Sequence, residues 1–233
     1  MFAPKSPRPM SRTLRVLAAL LAYPDAQLRG HLPEMRGLLA AEAALAPARR
    51  REIDALIEML ERTDPLATEA NYVEMFDRGR STSLHLFEHV HGDSRDRGPA
   101  MIDLGETYAK AGLIFTSTEL PDYLPAVLEF VSTQPPREAR AFLAEIVHIL
   151  SALFGALVKR GSAYASVVGA LIELAGEEAQ PVEPRAEEPL DESWAEPPVF
   201  DGCSAKGQAR PGQAQTILVH RNAPNSAQPG ATP

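Results

Sequence analysis

The stretch PREARAFLAEIVHILSALFGALVK, residues 136–159, decides the fold class. Apolar residues recur in it three or four positions apart, which is the spacing of one face of an α-helix. The residues on that face are Ile146, Ile149, Leu150, Leu153 and Leu157. Pro136 and Glu138 stand at its beginning, where the first turn of a helix favours proline and acidic side chains. The stretch therefore predicts one helix with a buried face.

Helical spacing of apolar residues continues on both sides of this stretch, whereas the alternation typical of strands is hard to find. Ala and Leu, both strong helix formers, supply most of the apolar content. The other predicted helices cover residues 11–23, 26–44, 48–62, 65–78, 99–111, 120–133 and 163–176, with a loop or short helix over 81–98. The sequence predicts an all-α protein, a single helical bundle over residues 11–178 after a flexible N-terminus, 1–10.

The composition changes abruptly after Glu178. Nine of the chain's 21 prolines follow it, acidic residues are frequent and apolar residues become sparse. Such a segment cannot bury enough apolar surface to offset the entropy of ordering, so we predict a disordered, acidic, proline-rich tail over residues 179–233. Trp194, the chain's only tryptophan, predicts a docking motif in this tail. The alternative is that it folds back on its own domain.

Composition excludes several functions and favours one compartment. The formal net charge of -8 argues against nucleic-acid binding, because neutralising phosphates requires a basic face. Cys203 is the only cysteine, so neither an internal disulfide nor a cysteine zinc site is expected, which favours the cytoplasm. No apolar run of about 18 residues exists, so we expect no stable membrane insertion. The apolar run 16–23 resembles a secretory signal, but its length and Pro24 favour a first helix.

One short motif indicates an enzymatic alternative. His85, Glu88 and His89 spell H-x-x-E-H, the order of zinc ligands and catalytic carboxylate in one class of metallopeptidase. On a helix both histidines would share one face, with the carboxylate beside them. A third protein ligand would also be required, and Glu145 with His148, or His91, could supply it. The basic residues around the motif argue against a bound dication. A nucleophile elbow and a phosphate-binding loop are also missing, so we predict that the chain is not an enzyme.

Charges alternate in sign along residues 77–98, around the irregular segment. Ion pairs and helix caps that fix a loop against the bundle are one interpretation. The other is direct contact with a bound peptide, which would depend on pH because histidine changes charge near neutrality. The candidate contact residues in this segment are Asp77, Arg78, His89, His91 and Arg95.

The string YVEMFDRGRSTSLHLFEHVHGDSRDRGPAMIDL, residues 72–104, resembles the signature block of the NarJ family of nitrate reductase assembly chaperones, the delta subunits. LLAYP at 20–24 is similar to an early pattern of that family. ELPDYLP at 119–125 resembles a block shared with TorD-type redox-enzyme maturation proteins, and 191–198 resembles the family's acidic tryptophan segment. Two residues depart from the family pattern: His85 stands at a usually apolar position, and Tyr123 replaces a histidine.

The resemblance implies a TorD/NarJ-like helical bundle that acts as a chaperone. Its partner would be the cytoplasmic catalytic (alpha) subunit of respiratory nitrate reductase, bound through an N-terminal leader-like helix. The chaperone would keep this subunit competent for molybdenum cofactor insertion before membrane docking, with no cofactor bound permanently to itself. Proteins of cofactor biosynthesis are further candidate partners. The remaining alternative is a helical adaptor that acts through the tail.

Such a role requires an apolar groove between helices that receives an amphipathic peptide helix. Acidic residues around the groove would attract a basic leader and raise its encounter rate. The residues predicted to line or support the groove, besides those in the charged segment, are Tyr72, Phe76, Leu120, Pro121, Asp122, Tyr123, Val127 and Phe130. For each apolar residue the alternative is a plain core position.

Overall fold

The computed structural model describes residues 9–92, 94–115 and 119–181. Its helices are α1 (Ser11–Leu21), α2 (Ala26–Glu42), α3 (Pro47–Arg62), α4 (Pro65–Phe76), α5 (Leu86–Val90), α6 (Arg97–Lys110), α7 (Leu124–Ser132), α8 (Pro136–Glu145), α9 (Val147–Lys159) and α10 (Ala165–Ala175), with a 3₁₀ helix at Arg80–Thr82. No strand forms within these described ranges, which confirms the all-α prediction. The predicted tail, including the Trp194 motif, lies outside the described residues beyond 181.

Local signals in the sequence set several of the helix beginnings. The Asp25 carboxylate accepts a hydrogen bond from the backbone N–H of Leu28 at 2.8 Å and so caps α2. Asp64 caps α4 in the same way, with the N–H of Ala67 at 3.1 Å, and Pro65 follows at the first helical position. These caps satisfy N–H groups that have no partner inside a helix, so the boundaries follow from the sequence.

Two helices form the centre of the bundle. α10 is buried along nearly its whole length and packs against α3, α8 and α9, and such an apolar helix has no face suited to water. α1 packs against α2 and α7 with the face that carries Leu14, Leu17 and Leu21. The other helices surround this pair and cover one continuous apolar core.

The prediction of one continuous helix over 136–159 is wrong. The helix breaks at Ile146, and α8 and α9 meet at an angle of 66°. Neither proline nor glycine stands at the break, and the apolar spacing continues through it. The bend keeps both helices against α10, which buries Leu143 and Leu150 fully. Each buried leucine is worth about 1.5–3 kcal/mol, which outweighs a backbone hydrogen bond lost at the bend, worth about 1 kcal/mol.

The predicted helix over 120–133 begins later than expected, at Leu124. The residues before it form a turn in which the N–H of Tyr123 donates to the carbonyl oxygen of Leu120 at 3.0 Å, and Tyr123 then bridges to His85. No single described helix is both long and apolar enough to cross a membrane, although α8 and α9 reach that length and hydropathy jointly across their bend.

Candidate functional site

Two extended segments from distant parts of the chain lie side by side at the candidate site. The N–H of Leu86 donates to the carbonyl oxygen of Asp122 at 3.1 Å, and the N–H of Leu124 donates to that of Leu84 at 2.8 Å. His85 and Tyr123 therefore face each other in an isolated antiparallel bridge. The bridge fixes the beginnings of α5 and α7 relative to one another.

Asp122 is the buried polar residue that holds this bridge together. Its side chain is fully buried, and its Oδ2 accepts a hydrogen bond from the N–H of Phe87 at 3.0 Å. Its Oδ1 lies 3.3 Å from Nδ1 of His85. His85 occupies the N-cap position of α5 without capping it. The Asp122 carboxylate thus supplies from another segment the acceptor that an N-cap residue normally provides, at the end of a helix that favours negative charge.

His85 is more basic here than an ordinary histidine. The hydrogen bond with Asp122 raises the pKa of His85, partial burial opposes this, and the nearby carboxylates of Glu88 and Glu119 raise the pKa further. The positive form of the ring is favoured next to Asp122. The ring also packs against Tyr123, with centroids 5.4 Å apart.

The raised pKa gives a prediction for stability against pH. Since the folded-state pKa of His85 lies above its unfolded value, the stabilisation is complete below the unfolded pKa of about 6.5 and is lost as pH rises through the folded pKa. We expect His85→Gln to lower the free energy of unfolding most near pH 6 and least above the folded pKa. Urea unfolding of both proteins from about pH 5.5 to 8.5 measures this difference.

His31→Gln is the matched control for this series, because the His31 side chain is 58% exposed beside Glu34. We expect it to leave the pH profile of stability close to that of the wild type. An identical profile for wild type and His85→Gln would contradict the role of the His85–Asp122 pair.

A chain of tyrosine hydroxyls continues from the bridge to α1. The hydroxyl of Tyr72 donates to the carbonyl oxygen of Leu21 at 2.7 Å and is buried. Because its one proton is used there, it accepts a hydrogen bond from the hydroxyl of Tyr123, 3.1 Å away. Burial raises the pKa of Tyr72, so it stays protonated. The ring of Tyr23 meets that of Tyr72 edge-on at 5.6 Å and is 45% exposed.

Tyr23, Tyr72, Tyr123 and His85 form a continuous set of rings from the surface to the bridge, here named the aromatic strip. Carboxylates border it. The Tyr23 hydroxyl donates to Glu69 at 3.0 Å, and this bond raises the pKa of Tyr23, to which the carboxylates of Asp25 and Asp77 add. Burial raises the pKa of Tyr123, and Glu119 and Asp77 raise it further. We name Glu69, Asp77 and Glu119 the acidic rim.

A groove of about 410 Å³ lies alongside α7 and is here named the α7 groove. Aromatic rings of Tyr108, Phe115 and Phe130 line it, and Arg15 and Glu129 stand among its charged residues. The Tyr108 hydroxyl donates to the carbonyl oxygen of Pro121 at 2.7 Å. The segment that carries Asp122 and Tyr123 therefore contacts the aromatic strip and, through Pro121, a wall of the groove.

The structure brings part of the predicted peptide-binding set together. Tyr72, Asp122 and Tyr123 meet at the bridge, and Phe76 packs on Tyr72 with ring centroids 4.8 Å apart. Asp77 is exposed at the end of α4.

The next two predicted residues along the chain differ in exposure. Leu120 is 45% exposed and Pro121 is partly buried. Val127 is fully buried, so it supports the site from the core, and Phe130 faces the α7 groove.

Apart from Asp77, the predicted residues of the charged segment lie away from the strip contacts. Arg78, two residues after the end of α4, is exposed and pairs with Glu74 at 2.8 Å. His89 donates from Nε2 to the carbonyl oxygen of Ser83 at 2.8 Å, so it holds its own loop. His91 meets the ring of Phe87 edge-on at 5.6 Å. Arg95 is exposed before α6.

Four residues of the site were absent from the predicted set. Tyr23 and Glu69 are joined by a hydrogen bond, and Glu119 borders Tyr123. His85 was assigned only to the zinc alternative. The LLAYP pattern contains Tyr23 and was the one signal that pointed to it; no local pattern marks Glu69.

The geometry removes the basis of the zinc alternative. His85 precedes α5, so it does not share a helical face with His89, and its ring is engaged by Asp122. Glu88 instead accepts a hydrogen bond from Arg97 at 3.3 Å. Among the residues that the structure describes, no group of three or more His, Cys, Asp or Glu side chains is placed to hold a metal ion.

Comparison with known proteins decides the family. The sequence profile of the nitrate reductase delta subunit family matches residues 42–168. The chain belongs to this family. NarJ of Escherichia coli (strain K12), named a nitrate reductase molybdenum cofactor assembly chaperone, is 45% identical over 162 residues, which cover 70% of this chain and 69% of NarJ.

Further relatives agree with membership in the delta subunit family. NarW of the same strain, named a probable chaperone of the same kind, is 39% identical over 163 residues, covering 70% of this chain and 68% of NarW. A solved structure described as a redox enzyme maturation protein of Archaeoglobus fulgidus matches 76% of this chain and 98% of its own, with a TM-score of 0.51 and 18% identity, which shows a shared fold. The named delta subunit relatives are assembly chaperones, which confirms the prediction that the chain is not an enzyme.

Proposed function

We propose that this chain is the assembly chaperone of the molybdenum-containing catalytic (alpha) subunit of a respiratory nitrate reductase. It binds the N-terminal segment of that subunit in the cytoplasm and keeps the subunit competent for cofactor insertion before membrane docking. The names of the delta subunit relatives support the partner and the cofactor. The observation that carries the binding mode is the aromatic strip bordered by the acidic rim.

The strip and its rim suit a basic amphipathic helix. The exposed ring of Tyr23 and the partly buried ring of Tyr123 offer apolar surface with a polar tip, so they pack on an apolar helix face at low cost in conformational entropy. The buried Tyr72 supports both rings from below. Leu120, 45% exposed next to Tyr123, adds aliphatic surface. Carboxylates at Glu69 and Asp77 attract the Lys and Arg residues of such a helix and chiefly speed its association.

The binding surface is fixed in place before any peptide arrives. Tyr72 is anchored to the Leu21 carbonyl, and Tyr123 is anchored to Tyr72 and to the bridge. Asp122 locks the bridge to the first turn of α5. Because these side chains are already ordered, little rotamer entropy is lost when a peptide binds.

Calorimetric titration of the chain with a synthetic peptide from the start of the catalytic subunit tests the proposal. We expect saturable binding, which weakens about tenfold in Asp77→Lys, a loss of about 1.4 kcal/mol, and which depends less on salt in that variant. Asp77 is the informative position because it is exposed and its negative charge helps to raise the pKa of all three tyrosines of the strip.

Glu138→Lys, an exposed position in the first turn of α8, makes the same charge change away from the strip. We expect it to leave the affinity unchanged. Absence of binding heat with the wild-type chain, or equal losses in both variants, would sink the binding mode. Molybdenum content of the catalytic subunit produced with and without the chain tests the chaperone role itself.

A further inference from the structure

α6 is a helix with little of its surface covered. Of its 14 residues, all of them described, Tyr108 alone is buried. Ile102 is 65% exposed on this helix, and Ile114, just beyond its end, is 87% exposed. A helix usually buries a stripe of its apolar residues against a neighbour. α6 and the residues that follow it up to Ile114, here named the arm of α6, leave apolar surface uncovered.

The α7 groove lies directly beside this arm. Tyr108, Leu113 and Ile114 form part of its lining together with Phe130 from α7. The exposed Ile114 and the apolar α7 groove are thus next to each other on one molecule. A surface with both shapes is complementary to a second copy of itself across a two-fold axis.

The charges of the groove are also complementary to those of a second copy. Arg15 donates from Nε to the hydroxyl of Ser132 at 3.2 Å, and Glu129 stands in the same lining. Within residues 9–92, 94–115 and 119–181, neither Arg15 nor Glu129 has an ion-pair partner. In a two-fold arrangement the cation of each copy meets the anion of the other, so both charges are compensated together.

We propose that the arm of α6 and the α7 groove form an isologous interface between two copies of this chain, with Ile114 of each copy seated in the groove of the other. The charge pattern favours a second copy over the basic leader of the catalytic subunit, because the groove carries one charge of each sign whereas the acidic rim is uniformly negative. A 14-residue helix is about 21 Å long, enough to extend such a contact beyond the groove. The groove shares no lining residue with the aromatic strip.

Analytical ultracentrifugation of the full chain over a range of micromolar concentrations is the direct test. We expect wild-type protein to pass from monomer to dimer as concentration rises, and Ile114→Asp to stay monomeric over the same range. Leu66→Asp is the matched control, because Leu66 is also an exposed apolar residue, at 75%, on α4. We expect it to dimerise like the wild type. Circular dichroism verifies that each variant is folded.

A charge exchange tests the orientation of the two copies. Arg15→Glu and Glu129→Arg are each expected to weaken dimerisation about tenfold or more, because like charges then meet, and the double variant is expected to recover most of the affinity. A monomer at every concentration, or a dimer that persists in Ile114→Asp, overturns the proposal. So does a monomeric wild type whose complex with the catalytic subunit is lost in Ile114→Asp, since the groove then takes the partner.

Titration of the leader peptide into Ile114→Asp separates this interface from the proposed function. We expect the peptide to bind this variant with wild-type affinity. Loss of peptide binding together with loss of the dimer would place both activities on one surface and overturn the assignment of the groove to a second copy.

Discussion

Replacing Asp122 by alanine is expected to lower the free energy of unfolding by about 3 kcal/mol. The Asp122 carboxylate is fully buried and accepts hydrogen bonds from the N–H of Phe87 and from the His85 ring. Hydrogen bonds to a charged group contribute about 1.5–3 kcal/mol each, and truncation also leaves the N–H of Phe87 without a partner in the protein interior. Equilibrium urea unfolding monitored by circular dichroism measures the loss.

Two further variants separate this effect from a general loss of negative charge. Asp77→Ala removes an exposed carboxylate at the same site and is expected to change stability by less than about 0.5 kcal/mol. Asp122→Asn retains one acceptor for the N–H of Phe87 but removes the charge, so we expect a loss between those of the two alanine variants. Equal losses for Asp77→Ala and Asp122→Ala would show that Asp122 does not hold the bridge.

The beginnings of several helices were predictable because their causes are local. Asp25 and Asp64 cap helices that start with the next residue, and Pro65 and Pro136 stand in first turns where proline is favoured. Each signal lies within a few residues of the feature that it determines. The break at Ile146 has no such signal, because packing of α8 and α9 on α10 produces it and that contact joins residues distant in sequence.

Only those residues of the site that lie in the sequence blocks resembling the family could be predicted. Tyr72, Asp122 and Tyr123 came from the two resembling blocks, yet the hydroxyls of Tyr72 and Tyr123 meet across 51 positions, which no periodicity reveals. His85 and Tyr123 are the two residues that the resemblance predicts to depart from the family pattern. The structure places these two residues opposite each other in one bridge, with the His85 ring on Asp122. This chain therefore has a histidine, His85, next to the buried Asp122. His85 comes from the segment that pairs with the one carrying Asp122 and Tyr123.

Replacing Phe130 by alanine is expected to lower the free energy of unfolding by about 3–4 kcal/mol and to loosen α6. Phe130 is 8% exposed, and its ring lies 4.9 Å from that of Tyr108 and 5.8 Å from that of Phe142. Truncating a buried phenylalanine costs the transfer free energy of the ring together with that of the cavity left behind. Because Tyr108 is the buried residue of α6, the loss of its packing partner is expected to weaken the attachment of the whole helix.

Amide hydrogen exchange resolves the local part of this effect from the global part. In Phe130→Ala, amides of α6 should exchange by local opening with a lower free energy, while those of the buried helix α10 should follow global unfolding. Phe115→Ala is the control. Phe115 is only partly buried, and its ring centroid lies 6.0 Å from that of Tyr108, so we expect a smaller effect on stability. If α6 and α10 lose protection by the same amount in Phe130→Ala, the contact between Tyr108 and Phe130 is not what attaches α6 to the bundle. In that case α6 unfolds with the core, and its exposed Ile102 belongs to a helix as rigid as the rest.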